Sequence, residues 1–420
     1  MAASNWVVKI NEQLESMVDT STEMEHWRKR SIYKIPSCVT DLNRKAYIPQ
    51  AVSFGPYHHG KDHLRPMEEH KHRALLHFLK RSRKPLQPFV ESLKEVVQVL
   101  KDCYDQLDVS WQEDTDGFLQ LMILDGCFML ELLRLYIMPY IRRDMLMLEN
   151  QLPILLLNKL MAVESDKAKD EGFVNKLILK FCFFSSTHFS TKHKCLHVLD
   201  VYRKSILFEE NLSKKKSGHR SSGSARYRGD SDDIIRSATE LNEAGIWDIS
   251  FHGGVLKLPT IVVDDATESI FLNLIAFERL HVGAGNEVTS YVFFMDNIID
   301  SAKDVALLHS QGIIQNAIGS DKAVAKLFNS LSKDITLDPE SSLYAVHKKV
   351  NAYCKKSWNE WRANLIHTYF RNPWAIMSLI AAAFLFALTI AQTIYTVYPY
   401  YHPSDPSPSR PNLPSPRHFH

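Results

Sequence analysis

Charged residues are missing from one long stretch near the C-terminus. No Asp, Glu, Lys or Arg occurs between Arg371 and Asp405, and the apolar run 374–398 lies inside this gap. A helix of roughly 20 apolar residues spans a hydrocarbon core about 30 Å thick. Trp374 and Tyr395 flank the run, as aromatic residues do at the headgroup level of a bilayer. A buried core helix is usually shorter and has a polar stripe, so the pattern predicts one transmembrane helix.

An excess of charge of either sign is also missing. The chain has 50 Lys and Arg against 48 Asp and Glu. Nucleic-acid binding needs a concentrated basic face, so no nucleic-acid partner is predicted. The six cysteines contain no C-x-x-C pair, which indicates reduced thiols and not a disulfide framework. There is no P-loop and no G-x-S-x-G motif, and no cofactor is predicted.

The N-terminus lacks the continuous apolar core of a secretory signal. Lys9, Glu12 and Glu15 interrupt residues 1–17. Apolar residues at helical spacing instead predict an amphipathic helix near residues 4–18 that docks on the body of the protein.

Basic residues are more numerous before the predicted span than after it. Four precede the span and two follow it: Lys355, Lys356, Arg362 and Arg371, then Arg410 and Arg417. The side richer in Lys and Arg tends to stay in the cytoplasm. We therefore expect a cytoplasmic body and a short C-terminal tail on the far side of the plasma membrane or an endomembrane.

The hydrophobic pattern before the span predicts a mainly α fold with a small β component (α+β). The apolar blocks 118–140 and 145–160 are interrupted by charges or proline, which indicates packed core helices and not membrane spans. Further helices are predicted at 66–83, 88–107, 193–206, 268–280, 290–308, 322–331 and 341–370. Residues 246–251 and 255–263 predict a short β-hairpin with its turn at 252–254.

Composition predicts the domain organisation. Residues 1–30 form an N-terminal helix and lead-in, 31–370 the body domain and 374–398 the transmembrane helix. Residues 211–233 form a basic, Ser/Gly-rich insert, which predicts a flexible loop. The final segment, 399–420, contains seven prolines and is predicted to be disordered.

Several segments resemble, in order, the signatures of a land-plant family. The matching segments are 31–38, 47–60, 67–81, 124–132, 144–153, 236–246, 258–268 and 273–278. The family is known as the plant domain of unknown function 247, or uncharacterised protein family 0481. The resemblance implies a single-pass membrane protein without established catalytic residues. Some grass members are linked to pollen self-incompatibility, which favours recognition or signalling over metabolism.

The turn 55–60 contains the residues of the sequence that are best suited to metal binding or proton transfer. Tyr57 is followed by His58 and His59, whose adjacent imidazoles can bind zinc or move a proton. Adjacent residues rarely bind one metal from a tight turn. The interpretation we favour is a structural turn in which the histidines bond to local backbone, and no metal is predicted.

Two further polar groups are candidate site residues. Asp264, Asp265 and Glu268 offer paired carboxylates for acid–base chemistry, but their position favours a helix start near residue 267 that Asp265 caps, with Glu268 completing a capping box. Glu149 and Asn150 interrupt an apolar block, and buried polar groups need partners. Arg142, Arg143 or backbone groups are the partners we expect.

These patterns predict a membrane-anchored protein that recognises another, unidentified protein or acts in signalling, without catalysis. The alternative is a membrane-tethered enzyme, hydrolase-like or metal-dependent, that uses the histidine turn. Ala383, Ala387 and Ala391 recur every four residues in the span. Small residues at this spacing permit close helix packing, which makes a homodimer through the membrane helix a further hypothesis.

Overall fold

A computed structural model describes most of the chain. The described residues are 5–15, 29–41, 43–134, 139–165, 172–183, 194–207, 249–333, 335, 341–357 and 373–401. The chain divides into two compact units, residues 1–348 and 349–420. The predicted insert 211–233 lies outside the described residues, as do residues 402–420 of the predicted tail.

Helices dominate the first unit, and the prediction of a mainly α fold with a small β component is confirmed. Before residue 207 the helices are α1 Asn5–Glu15, α2 Ser37–Thr40, α3 Glu68–Ser82, α4 Gln87–Lys94, α5 Val97–Asp102, α6 Val109–Glu113, α7 Thr115–Arg134, α8 Pro139–Met145, α9 Ile154–Glu164, α10 Phe173–Phe183 and α11 Val198–Ile206. Two 3-10 helices, Arg44–Ala46 and Asp62–Met67, lie in the connection between α2 and α3. After residue 249 the elements are β1 Ser250–His252, β2 Val255–Lys257, β3 Ile261–Val263, α12 Thr267–Leu280, α13 Glu287–Asp296, α14 Ala302–Ser310, β4 Ile314–Asn316, α15 Asp321–Leu331, α16 Ser342–Cys354 and α17 Pro373–Tyr401.

Helix α7 is the central helix of the first unit. From Phe118 to Leu133 every residue except Gln120 is buried, and the helix contacts α3, α4, α9 and α10. Gly126 allows α9 to approach closely, because a Cβ at this position would lie 2.5 Å from Leu160 Cδ1. The apolar block that begins at residue 118 is therefore a core helix, as predicted.

The second apolar block is only partly helical. Residues 146–153 form an irregular buried connection, and α9 begins at Ile154. Pro153 has no amide hydrogen to donate within a helix, which favours a helix start after it. Gln151 Nε2 donates to the carbonyl oxygens of Met145 and Met147, at 2.6 and 2.7 Å. These bonds occupy carbonyl groups that a continuous helix would need for its own backbone.

Among the described residues, the β structure forms two pairs of short strands, and residues 246–248 of the first predicted strand lie outside this part of the chain. Strands β1 and β2 form the predicted antiparallel hairpin, in which Gly253 and Gly254 both have positive φ, as a type I′ turn requires. The prediction that the second hairpin strand continues to residue 263 is wrong. Residues 261–263 form β3, which pairs in parallel with β4.

Three predicted helices are shorter or interrupted. The helix predicted at 88–107 is divided into α4 and α5, and the helix predicted at 290–308 is divided into α13 and α14. The second break occurs at Ser301, which starts α14 with a capping box made with Asp304. The long helix predicted from 341 ends at Cys354 in α16, and residues 358–372 lie outside the described residues.

Helix α1 does not dock as predicted. The amphipathic helix forms, but Trp6, Ile10 and Leu14 on its apolar side are exposed.

The described part of the second unit is mainly helix α17. Its segment Met377–Tyr398, with 22 residues, is long and apolar enough to cross a membrane. The helix includes residues 399–401, which were predicted to belong to the disordered tail. Thr389 Oγ1 donates to the Leu385 carbonyl and Thr393 Oγ1 to the Thr389 carbonyl, so these hydroxyls are satisfied within the helix.

Candidate functional site

The segment that leads into the histidine turn is irregular, yet its backbone is bonded to buried side chains from elsewhere in the chain. Residues 47–61, which we call the braced segment, contain no helix or strand. Asp144 is fully buried and accepts hydrogen bonds from the amides of Gln50, Ala51 and Val52, at 3.0, 2.6 and 3.0 Å. Burial raises the pKa of Asp144, and these amide bonds act in the opposite direction. One carboxylate thus fixes three consecutive amides.

Asn150 continues this bracing by two residues. Its Oδ1 accepts from the Phe54 amide at 2.7 Å, and its Nδ2 donates to the Val52 carbonyl at 3.0 Å. The same Nδ2 donates to the Asp144 carbonyl at 2.9 Å. The sequence predicted arginine or backbone partners for this position. The prediction of backbone partners for Asn150 is correct. The arginines are not its partners, because Arg142 bonds to Asp264 and Arg143 to the Lys45 carbonyl.

A buried ion pair supports the centre of the braced segment. Lys71 and Asp125 are both fully buried, with Nζ and Oδ1 separated by 2.7 Å, and Asp125 Oδ2 accepts from the Gly55 amide at 2.8 Å. Gly55 has a φ of 73°, and a Cβ there would lie 2.9 Å from Tyr104 Oη. Both the left-handed backbone and the close approach therefore require glycine at this position.

Three ionisable side chains, those of Glu149, His58 and Lys61, lie in a row at the histidine turn. His58 is only 2% exposed, and its Nδ1 lies 2.6 Å from Lys61 Nζ. Because an ammonium group can only donate, Nδ1 accepts and the proton of the neutral ring is on Nε2. That nitrogen lies 3.3 Å from Glu149 Oε2 without the alignment of a hydrogen bond. Glu149 Oε1 accepts from the Ile35 amide at 2.7 Å. The expectation that His58 bonds to local backbone is wrong, since its contacts are side chains.

The other two residues of the turn have different environments. The Tyr57 hydroxyl donates to the carbonyls of Ile32 and Asp105, and burial raises its pKa. His59 is exposed, and its ring lies 5.6 Å from the Trp111 ring in an edge-to-face arrangement. Tyr57 is therefore structural, whereas His59 presents an imidazole to the outside.

An open depression of about 310 Å³ lies along the same segment. The residues that line it are Lys45, Ile48, Pro49, Gln50 and His63. His63 Nε2 donates to the Pro49 carbonyl at 3.1 Å, which fixes one side of the depression. The depression is shallow, and its lining is both cationic and apolar.

The second candidate site, the acidic residues before α12, is structural. Asp264 Oδ1 accepts from the Ala266 amide at 3.1 Å and from Thr267 Oγ1 at 2.8 Å, while Oδ2 pairs with Arg142 at 2.7 Å. The prediction that Asp265 caps this helix is wrong, because Asp265 is exposed and the N-cap residue Ala266 makes no side-chain cap. Asp264 instead stabilises the turn that precedes the helix. Glu268 accepts from Ser330 Oγ at 3.1 Å and completes no capping box.

Sequence reasoning missed the residues that hold the site together. Lys61, Lys71, Asp125 and Asp144 were not candidate site residues, although Asp125 and Asp144 lie in or beside the apolar blocks. A charge in such a block is the one signal that could have found them, because it needs a partner once buried. Among the described residues, no group of three His, Cys, Asp or Glu side chains is arranged to hold a metal ion.

The chain matches the family model DUF247, described as a plant protein of unknown function, over residues 32–388. The chain belongs to this family. It is also 30% identical to the UPF0481 protein At3g47200 of Arabidopsis thaliana, over 88% of this chain and 86% of the relative. A second Arabidopsis thaliana relative, the putative UPF0481 protein At3g02645, is 23% identical over 94% of this chain and 95% of its own length. No solved structure gives a significant match.

The matched region of the DUF247 family includes the whole braced segment and the first part of α17. The site and the first part of the apolar helix therefore lie within the matched region.

Proposed function

We propose that this DUF247 protein is anchored in a membrane by α17 and recognises another protein through the braced segment. The observation that carries the proposal is the fixation of consecutive amides by Asp144, Asn150 and Asp125. Binding residues are commonly found on loops that a rigid scaffold positions. The buried side chains give this irregular loop a single conformation before any partner arrives.

A fixed loop binds more tightly than a mobile one, because less conformational entropy is lost when the complex forms. The outer side of the braced segment presents Gln50, His59 and Lys61, which are exposed. Half-buried Trp111 lies beside His59 and adds aromatic surface, the kind of side chain that is enriched in protein interfaces. His59 and Trp111 thus provide a small aromatic patch for a protein partner, and Gln50 and Lys61 add exposed polar groups along the same segment.

The proposed anchor is supported by the length and polarity of α17. Its apolar side chains are exposed to an unusual degree, including Phe384, Phe386 and Ile380 at 64, 69 and 64%. Such a surface is unfavourable in water and favourable in lipid. The excess of basic residues before the helix supports a body in the cytoplasm.

Membrane insertion and orientation can be tested in sealed microsomes with a tag at each end of the chain. We expect the protein to resist carbonate extraction, the body to be digested by external protease and the C-terminal tag to be protected. Asn211, in the only glycosylation sequon of the chain, should stay unmodified. Release by carbonate would overturn the anchor, and glycosylation at Asn211 would overturn the orientation.

Recognition can be tested with a photo-crosslinking residue placed at position 59 in the full-length protein in membranes. The matched control places it at position 77, where an equally exposed histidine lies on α3. We expect position 59, but not 77, to give a discrete heteromeric crosslink, and the variant Asn150→Ala to weaken it. The same adducts from both positions would contradict a recognition face at the turn.

A further inference from the structure

Lys61 lies at the end of the row Glu149–His58–Lys61, outside any helix or strand. Its amine is 2.6 Å from His58 Nδ1, and the far side of the same ring faces Glu149 at 3.3 Å. His58 is buried, whereas Lys61 is exposed. The row thus connects the amine of an exposed residue to a buried imidazole that faces a carboxylate, and an adjacent base is a group that activates nucleophiles in enzymes.

Partial burial of Lys61 favours loss of its proton. Burial is the largest cause that lowers the pKa of Lys61, and Glu149 opposes it more strongly than Arg44 supports it. The usual pKa values of Lys and His are about 10.4 and 6.5, so transfer of a proton from Lys61 to His58 is ordinarily unfavourable. The lowered pKa of Lys61 reduces this cost.

We propose that Lys61 is an acyl-accepting amine that reacts with activated acyl compounds, such as thioesters, with His58 as its base. This goes beyond the recognition function and does not depend on it. A base that takes a proton from the amine and can return it to a leaving group suits acyl transfer.

Acyl transfer from a thioester to Lys61 begins with loss of a proton from the amine. Lys61 passes one proton to His58, and the neutral amine nitrogen attacks the carbonyl carbon of the thioester. The C–N bond forms and the C–S bond breaks, and the departing thiolate takes the proton held by His58. The nitrogen then loses its second excess proton through His58 to solvent. The products are an amide on Lys61, a free thiol and one proton.

The first test measures acetylation of the full-length protein by a small acetyl thioester, with each lysine followed by peptide mass spectrometry. Lys80 is the internal reference, because it is exposed on α3 and lies outside the row. We expect Lys61 to react at least about threefold faster than Lys80 at neutral pH, as a lowered amine pKa requires. Equal or slower reaction of Lys61 between pH 6 and 9 would overturn the proposal.

Variants show whether fast labelling of Lys61 is caused by the groups around its amine or only by the exposure of its side chain. Arg44→Gln changes an exposed side chain and should lower the ratio of Lys61 to Lys80 labelling, because one cation that favours the neutral amine is gone. Arg73→Gln, an exposed position on α3, is the matched control and should leave the ratio unchanged. His58→Gln removes the base beside the amine and should lower the ratio further.

The thermal unfolding midpoint of each variant shows whether the fold is retained. If His58→Gln unfolds, Arg44→Gln alone decides the test. A labelling ratio that is the same in the wild type and in the folded variants Arg44→Gln and His58→Gln would mean that the Lys61–His58 contact is only structural.

Discussion

The backbone amides of the braced segment are bonded to side chains that are remote in sequence, whereas those of the loops near α14 and α15 are bonded to neighbouring side chains. In both places the backbone is irregular and polar side chains satisfy its amides. Around the braced segment the partners are remote in sequence: Asp144 is 94 residues from Gln50, and Asn150 is 96 residues from Phe54. Near α14, Asp304 caps an amide only three residues away.

The difference shows what each kind of bond does for the protein. A local cap stabilises one turn and can form before the rest of the fold. A remote buried acceptor forms only when two distant parts of the chain have packed, so it links the conformation of an outer loop to the integrity of the core. This coupling is what suits the braced segment to the recognition role that we propose for it.

The largest expected effect comes from Asp125→Ala. This change leaves Lys71 buried with the less buried Glu68, and it removes the acceptor for the Gly55 amide. Breaking a buried ion pair costs about 3 to 5 kcal/mol. The local counterpart, Asp304→Ala, should cost about 1 kcal/mol, as a lost helix cap does. Urea unfolding measures both, and equal losses would remove the distinction between remote and local bonds.

His197 combines a local cap with a remote bond and gives the expected pH dependence. Its Nδ1 accepts from the Asp200 amide, and its Nε2 donates to the Ser31 carbonyl at 2.9 Å. Burial lowers the pKa of His197 to about 4. The unfolded chain, with a pKa near 6.5, then binds more protons, so stability falls as the pH drops from 6.5 to 4. At about 1.36 kcal/mol per pKa unit the loss is about 3 kcal/mol.

This pH dependence is measured by urea unfolding between pH 4 and 7. His197→Asn keeps an oxygen that can cap α11 but carries no titratable group. The variant should have a flatter profile over this range. The same slope in the variant and the wild type would show that other groups, such as His281, cause the acid sensitivity.

Features that depend on local interactions could be predicted from the sequence, whereas features that depend on remote interactions could not. The β1–β2 turn and the start of α12 depend on neighbouring residues, and both were predicted within one or two residues. The roles of Asp144 and Lys61 could not be predicted, because their partners are chosen by packing and not by spacing. The error at Asp265 has another cause: two adjacent carboxylates look alike in sequence, and only the backbone geometry selects Asp264.

A smaller effect distinguishes these two carboxylates. Asp264→Ala removes the bonds to Ala266, Thr267 and Arg142 and should cost about 1 to 2 kcal/mol. Asp265→Ala should change the free energy of unfolding by less than about 0.5 kcal/mol, because the residue is exposed. Thermal or urea unfolding of the two variants provides the measurement. The reverse order would restore the capping role that the sequence assigned to Asp265.

The smallest expected effect on stability concerns α17. Ala383→Leu together with Ala387→Leu should leave the unfolding of the first unit unchanged. If α17 forms a homodimer through its small residues, these bulkier side chains should reduce crosslinked dimers in membranes. Ala382→Leu, with a position on another side of the helix, is the control. Unchanged crosslinking in the double variant would end the dimer hypothesis.

Hydrogen exchange of the backbone amides tests the central claim most directly. The amides of Gln50, Ala51, Val52, Phe54 and Gly55 should exchange as slowly as those of core helices, although they belong to no helix or strand. Asn150→Ala should release Phe54, while the amide of Ser301, which Asp304 caps locally, stays as in the wild type. Rapid exchange of the five amides in the wild-type protein would contradict the claim that buried side chains hold this segment in place.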